Sequence, residues 1–596
     1  MKINRYTWII ALVIAMATAC NDLDVPPINI VGDQDVFTSE SGITAYIARL
    51  YRDLPIEDFM TNAGGMRSNP EGSAQEYTDE SLNPNPRRSN LSGTDFNYYD
   101  YAPVRNMNYF LQEFPTYAGD FPQSAADAWL GELYFLRAYH YYAMVKRYGG
   151  VPIVQEVMNY TGQPVDELKR PRNTESDCID FILSDLDEAI RLLPDASLAA
   201  GRANRFIAYG MKARVALYAA SVAKYGTVQL DGVLGIPATR ARDLYIIAYD
   251  AARETARGGY ELYNKGGDLA ANYSNIFLDR SSTENMFVKY YKYPDFAHHY
   301  ELFMIPWQIR GAQNYSSRGN PTLDFIERFD DADGNPFILN TGTDDAPVYY
   351  TNRTDLFERA EPRLQGIVIF PGGEYKGTVI DVRKGIVEAG HPVTDVTSTD
   401  SFTDEYNGMT IQGASGMGYN ETTSTGFYIR KYLDPSIPRA EVALDRTETP
   451  WIEMRYAEML LVRAEAAVEL QTFGDASRMD DAAGCMRAIR ERAGAKRMFT
   501  AQDLTVDLVR NERRMELFFE NKTFWDLKRW RTFDREFSNR EMRVLWPIYV
   551  YDQQKYYMKK TVFNEFRYTF QPVLYYQKVP EAEIQKNTLL IQNPGY

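Results

Sequence analysis

Cysteine is scarce in this chain of 596 residues, with three in all: Cys20, Cys178 and Cys485. Three thiols so far apart make no disulfide framework. Cys178 and Cys485 each sit in a helical pattern among apolar neighbours, where buried free thiols are expected. Histidine is nearly as rare, at four: His140, His298, His299 and His391. The adjacent pair in "DFAHHYELF", with Asp295 beside it, is a poor metal site, because neighbouring side chains rarely face one ion. Basic charge is also short. Against 81 Asp and Glu stand 65 Lys and Arg, giving a net charge of −16 and a pI near 5.0. No Lys/Arg cluster forms a basic footprint, which excludes nucleic acid as a partner.

Phosphate loops and nucleophile elbows are missing too. "GASGMG" fits neither G-x-S-x-G nor G-x-G-x-x-G, and "GGEYKGT" is no P-loop. In "FDDADGNPF", placing Gly334 sixth in a calcium loop puts Phe329 first and Asn340 twelfth, so the EF-hand pattern fails and a tight Asp-Gly turn is expected. The acids Glu453 and Glu458 lie among arginines, where ion pairing accounts for them. No catalytic residue, metal ligand or cofactor is assigned.

What is present begins with "IIALVIAMATACNDLDVPP". Lys2 and Arg5 precede an apolar run from Trp8 to Ala17, long enough for a secretory signal and too short to span a bilayer. Small residues Ala17, Thr18 and Ala19 lead directly into Cys20, as in a bacterial lipobox, although Ala17 stands where leucine is commoner. The expectation is a lipoprotein signal at 1–19, with Cys20 becoming the acylated first residue. Several acyl chains on one residue give lasting anchorage that a single chain does not. Loss of Lys2 and Arg5 takes the charge to −18. Residues 20–37, acidic and Pro-bearing, read as an extended tether. Asp22 and Asp24 are similar to the short acidic signal that exports Bacteroidetes lipoproteins to the cell surface.

With 45% hydrophobic residues the remainder buries a sizeable core. Most of it reads as helix. "DAWLGELYFLRAYHYYAMVKRYGGVP" (127–152) has apolar residues at helical spacing, Leu133, Leu136, Tyr139, Tyr142 and Ala143, and ends at Gly149, Gly150 and Pro152. "TESDCIDFILSDLDEAIRLLP" opens on Thr174 as N-cap, with Asp177 three residues on, and its apolar face runs Cys178, Ile182, Leu186, Ile190 and Leu193. "ANRFIAYGMKARVALYAASVAKY" and "ARDLYIIAYDAARETARGGYEL" form a pair whose Ala213, Ala216, Ala220, Ala248 and Ala252 allow close approach. The C-terminal third repeats the scheme, with "WIEMRYAEMLLVRAEAAVEL" read as helical from its start, then "DDAAGCMRAIRERAG" and "LTVDLVRNERRMELFFEN". Helical pairs with Ala at packing positions suggest TPR-like units, and Trp129, Leu130, Gly131 and Tyr134 match that signature best, without a clean 34-residue register. Between these blocks, 261–450 is rich in Gly, Asn, Asp, Thr and Pro, with strand-like runs "NMFVKYYKY", "GIVIF" and "GFYIRKY". Loops of this kind tend to carry function.

In this order, "YFLRAYHYYAMVKRYGGVPIV", "NPTLDFIERFDDADGNPF", "RAEPRLQGIV", "TGFYIRKY", "EMRYAEMLLVRAEA", "AIRERAG", "ERRMELFFENKTFWDLKRW" and "VPEAEIQKNTLLIQNPGY" resemble a SusD/RagB-type outer-membrane nutrient-binding lipoprotein of Bacteroidetes over nearly the whole chain. One departure is Asn521 and Lys522, where the family more often has Glu-Gly-x-Arg before the aromatic; that bears on packing near Trp525. The resemblance implies a mainly α scaffold of TPR-like pairs with a loop-rich irregular insert carrying short strands. It also implies a lid over a SusC-like TonB-dependent barrel that receives oligosaccharides, on the outer membrane and facing the cell exterior. The organisation expected is signal 1–19, tether 20–37, N-terminal helical region 38–260, ligand-binding insert 261–450, and C-terminal helices and tail 451–596, with 38–596 one compact body. The RagB branch is associated with peptide uptake, so a peptide-binding protein of the same architecture is the alternative, and a surface enzyme a third reading.

A sugar ring stacks its C–H face on an aromatic ring, while its hydroxyls need amide and carboxylate partners. The candidate contacts are therefore aromatics in polar loops: Tyr77, Phe96, Tyr98 and Tyr99 in one segment, and Tyr291, Tyr293, Trp307 and Tyr315 in another. The two segments, 77–101 and 291–315, are expected to lie close in space, with the helices at 127–148 and 451–470 serving the frame.

Overall fold

The computed structural model describes residues 36–60, 73–84, 90–158, 164–388, 396–418, 421–563 and 566–596. Cys20, residues 21–35 of the expected tether and His391 lie outside the described residues; the last two tether positions, Val36 and Phe37, are helical rather than extended, with Phe37 buried against Phe110. Ten helices carry the frame: α1 (Glu40–Arg52), α2 (Ala102–Glu113), α3 (Gln123–Tyr148), α4 (Glu175–Leu192), α5 (Arg205–Tyr225), α6 (Ala241–Glu254), α7 (Tyr456–Gln471), α8 (Met479–Ala493), α9 (Val506–Glu516) and α10 (Thr523–Arg529). Among the described residues no helix is long and apolar enough to cross a membrane.

These helices pack as a continuous series of neighbours. α1 and α2 lie on α3, α3 on α4, α4 on α5, α5 on α6, and α6 directly on α7, which also packs α8 and α9. The two ends of the chain thus share one helical frame, TPR-like in its pairing. Residues 255–455 leave it at α6 and return at α7. Local signals set the boundaries. The Thr174 hydroxyl accepts the Asp177 N–H at 3.0 Å to start α4, and the Asn204 side chain accepts the Ile207 N–H at 2.9 Å to start α5. Gly149, at φ +78, ends α3. Ala213, Ala216 and Ala220 of α5 and Ala248 and Ala252 of α6 are fully buried where the two helices meet. Cys178 and Cys485 are buried free thiols.

Two sequence expectations need correcting. The α3 stripe predicted as one apolar face is buried on nearly every side, including Glu132, Arg137, His140 and Arg147, because α1, α2, α4 and α5 surround it. The helix read from Trp451 begins only at Tyr456. Residues Trp451–Arg455 form a strand that pairs antiparallel with Asn285–Lys289, all five of its residues buried, so tertiary pairing overrides local helical periodicity.

Strands are short apart from one hairpin. Arg543–Val550 pairs in full register with Lys555–Val562, flanked by Gly385–Val387 on one edge and Tyr349–Tyr350 on the other. The runs "GIVIF" and "GFYIRKY" pair with each other, Val368–Ile369 against Tyr428–Ile429. "FDDADGNPF" is a turn: Gly334, at φ +90, donates to the Asp331 carbonyl, and the Asp331 carboxylate accepts the Asp333 and Asn335 N–H groups.

A buried ionic network ties the inserted region to the frame. Arg455 Nε donates to Glu520 at 2.9 Å, Nη1 to Glu284 and to Glu516 at 2.7 Å each, and Nη2 to the Glu516 carbonyl at 2.6 Å. Arg363 joins Glu361, Glu512 and Glu516, Arg492 bridges Glu284 and Glu516, and Lys431 pairs with Glu520. Glu453 and Glu458 are both held by Arg214. The charge of Arg214 overcomes burial and holds Glu458 down at about 2.

Glu80 has the opposite environment. Burial pushes its carboxyl up to about 7, with Asp79 adding repulsion, while one oxygen accepts the Thr523 hydroxyl at 2.6 Å and the other has no hydrogen-bond partner among the described residues. A raised carboxyl pKa contributes stability fully present below the unfolded value near 4.5 and lost as pH rises through 7. At 1.36 kcal/mol per unit, the loss amounts to about 3 kcal/mol. Glu80→Gln, which keeps the bond to Thr523, is expected to raise the unfolding temperature at pH 8 and to change it little at pH 4.5. Equal effects at both pH values would remove this assignment.

Candidate ligand-binding face

The eight aromatic candidates separate into three groups. Phe96 is buried, at φ +61, with its ring edge-on to Tyr77 at 5.7 Å and to Phe524 at 5.5 Å, and its carbonyl takes a hydrogen bond from Arg147. Tyr98 and Tyr99 form a second group on α3. The Tyr98 hydroxyl bonds His140 Nδ1, and burial drives His140 down to about 3. The Tyr99 ring packs on Tyr148 at 5.3 Å and Tyr101 at 5.5 Å.

The third group lies in the inserted region. Tyr291 is 1% exposed, parallel to Phe296 at 5.1 Å, and its hydroxyl donates to Asp58 at 2.7 Å. Phe96 and Tyr291 are therefore core residues with no face left for a sugar, which corrects the expectation for both. Their aromatic neighbours, Phe524 for Phe96 and Phe59 and Phe296 for Tyr291, were not visible from loop composition alone.

Tyr293, Trp307 and Tyr315 do reach a common surface, along a rail formed by residues 439–448. Arg439 donates to the Arg310 carbonyl at 2.8 Å and the Leu444 N–H to the Gln313 side chain at 3.2 Å. His299 pairs with Asp445 at 2.8 Å, and Arg446 lies 5.0 Å above the Tyr293 ring. His299 and His298 face different partners. His298 is buried, with Nε2 on the Thr449 carbonyl at 2.9 Å and its ring stacked on Phe59. From His299 the contacts continue through Phe303 at 5.6 Å to Tyr315 at 5.0 Å. Tyr293 and Tyr315 are each 41% exposed.

Next to Tyr293 a groove of about 610 Å³ is lined by Arg280, Asp434, Ile437, Glu441, Arg446, Glu448 and Thr449. Arg280 Nη2 donates to the Glu448 carbonyl at 2.6 Å and the Tyr293 N–H to the Glu448 carboxylate at 3.1 Å, which fixes the Tyr293 side of the groove. Arg446 makes no ion pair among the described residues. At the other end of the rail Trp307 is near-parallel to Phe402 at 5.7 Å, and the Arg310 guanidinium covers one of its faces at 3.4 Å. The sequence reading missed Arg446, Gln313 and Phe402. Phe402 carries the same signal as the aromatics that were named, a ring in a polar stretch, "STDSFTDEYNG", that also holds Tyr406.

The segments 77–101 and 291–315 do not bring their rings together. Among the described residues no aromatic of one touches an aromatic of the other. Backbone links them instead: Ser81–Leu82, inside the first segment, pairs with Asn320–Pro321, just beyond the second, and Arg318 lies within electrostatic reach of both Glu76 and Tyr315.

A TPR-like frame of paired helices thus carries an open polar groove with one exposed ring, Tyr293, at its edge. The chain belongs to the SusD family: the model described as "SusD family" matches residues 275–596, and one described as "Starch-binding associating with outer membrane" matches 23–217. It is 24% identical over 540 residues to a SusD-like protein of Bacteroides ovatus, covering 88% of this chain and 82% of that one. A SusD-like protein from Bacteroides fragilis superposes with a TM-score of 0.67 at 25% identity, over 95% of this chain and 99% of that one. A SusD-like carbohydrate-binding protein from the same species superposes at 0.66 and 19% identity, over 93% and 100%.

The family's departure at Asn521 has a physical basis. Asn521 sits at φ +57, in the left-handed region that Asn tolerates best after Gly. Its amide donates to the Glu57 carbonyl at 2.6 Å, beside the Trp525 indole N–H on the Glu57 carboxylate.

Proposed function

We propose that this chain is a cell-surface lipoprotein, anchored through Cys20, that captures oligosaccharides and delivers them to a SusC-like TonB-dependent transporter in the outer membrane. The observation that carries the binding half is the groove beside Tyr293. It offers one exposed ring for a sugar C–H face, with guanidinium and carboxylate groups at its walls for hydroxyls. Membership of the SusD family, a match to a family described as starch-binding, and likeness to a carbohydrate-binding relative support a glycan rather than a peptide. Binding of this kind uses no cofactor and no catalytic residue. In this reading residues 261–450 present the ligand face, and the helices on either side hold it still.

Calorimetric titration of the chain lacking residues 1–20, against a panel of oligosaccharides and a panel of oligopeptides, separates the readings. Saturable heat with an oligosaccharide, and none with the peptides, is the expected result. Saturation by peptides alone would turn the assignment to the RagB-like alternative, and turnover of the oligosaccharide during incubation would turn it to an enzyme.

A further inference from the structure

A second groove, of about 430 Å³, is built without any residue of 261–450. It opens where the end of α5 and the loop after it meet the residues that follow α10 and the last segment of the chain, and Gln229, Arg531, Asp534, Tyr575 and Tyr576 are among its walls. We propose that it binds an acidic sugar, with the sugar carboxylate held on Arg531. The site is separate from the groove beside Tyr293.

Three observations support that ligand. The first is a cation without a counter-ion. The Arg531 guanidinium packs against the Tyr575 and Tyr576 rings at 4.6 and 4.8 Å, Nη1 donates to the Lys528 carbonyl at 3.2 Å, and Nη2 donates to the Tyr576 hydroxyl at 2.9 Å. Two of its five N–H groups are thus used, and among the described residues no carboxylate lies within ion-pair distance. Nε faces Gly226, where an added Cβ would come within 3.5 Å of it and within 2.5 Å of the Val222 carbonyl oxygen, so the absence of a side chain keeps that approach open. A half-buried charge with no partner is unfavourable, and this groove lets an anion reach it. The second is the state of the acids nearby. Asp534 takes the Tyr575 hydroxyl at 2.5 Å, and Glu175 takes the Tyr576 hydroxyl at 2.7 Å and the Gly235 N–H at 2.6 Å. Neither neutralises Arg531, although Asp534 on the wall opposes an anion in part. The third is the backbone. Arg531 stands at φ +55, in the left-handed region that favours glycine, and a long side chain kept there by its neighbours points to a use for that side chain.

The planar fork of a guanidinium receives a carboxylate through two parallel hydrogen bonds. Thr227 and Gln229, whose side chains have no partner among the described residues, supply donors and acceptors for ring hydroxyls. The volume lies within the range of about 300–1,000 Å³ that small-molecule sites occupy. The choice of a sugar as the carrier of the carboxylate rests on the glycan reading; the anion site on Arg531 does not.

The test titrates glucuronate, glucose, N-acetylglycine and sulfate by calorimetry, at one fixed ionic strength, into the chain lacking residues 1–20. Glucuronate is expected to bind saturably, and each of the other three at least tenfold more weakly. Arg531→Gly, which suits φ +55, and Arg531→Gln, which keeps a polar side chain without the charge, are each expected to weaken glucuronate about tenfold, with circular dichroism as the folding control. Asp534→Asn, which removes the acid on the wall, is expected to tighten it. Glucuronate that binds no better than glucose, or unchanged affinity in the folded Arg531 variants, overturns the proposal. Binding of sulfate or N-acetylglycine as tight as that of glucuronate also overturns it, since Arg531 would then take any small anion or a peptide C-terminus rather than an acidic sugar. A loss of affinity in Asp534→Asn overturns it too, because Asp534 would then be a partner for hydroxyls of an uncharged ligand.

Discussion

Arg455→Ala is expected to cost about 3–5 kcal/mol of stability, the penalty for stranding buried carboxylates whose partner has been removed. Glu284, Glu516 and Glu520 converge on this one guanidinium, which is 1% exposed and uses all three of its nitrogens. Glu284 keeps Arg492, Glu516 keeps Arg492 and Arg363, and Glu520 keeps Lys431, but no remaining group spans all three acids. Lysine in its place supplies a charge without the planar fork, so Arg455→Lys is expected to recover only part of the loss. Denaturant midpoints of the parent and both variants measure it. A loss under about 1 kcal/mol for Arg455→Ala would show that the network does not hold the inserted region to the frame.

Cys20→Ala is expected to abolish acyl labelling and to move the protein wholly from the outer-membrane fraction to the soluble one. The effect is all-or-none because the acyl chains on Cys20 are the proposed membrane attachment. Retention in the membrane fraction with labelling intact would refute the lipoprotein reading. Retention without labelling would mean that another contact, such as the transporter, holds the protein there.

Much of the frame was legible in the sequence because helical periodicity, the Thr174 cap and the Gly149 stop are local signals. The strand Trp451–Arg455 was not, since its pairing with Asn285–Lys289 spans some 160 residues of chain and its own periodicity continues into α7. The hairpin Arg543–Val550/Lys555–Val562 was likewise absent from a reading that took 451–596 as helices and tail. The family-like motifs were recognised, but their work was not. The charges of "EMRYAEMLLVRAEA" and "ERRMELFFENK" include Arg455, Glu458, Glu465, Glu512, Glu516 and Glu520, which are buried partners in ion pairs rather than a solvated face.

The candidate site divides for the same reason. Composition marks a loop as polar, but it does not say which ring turns inward. Tyr291 and Tyr293 are two residues apart, yet one is sealed under Phe296 and His298 and the other stands open to the groove. Long-range contacts decide between them, and Arg446, more than a hundred residues further on, completes the open one.

The central claim is that a glycan binds at the groove beside Tyr293. Calorimetry of the parent, Tyr293→Ala and Tyr99→Ala against one saturating oligosaccharide tests it most directly, with circular dichroism as the folding control. Tyr293→Ala is expected to weaken binding at least tenfold, about 1.4 kcal/mol, while Tyr99→Ala binds like the parent. Unchanged affinity in Tyr293→Ala, or a loss confined to Tyr99→Ala, would contradict it.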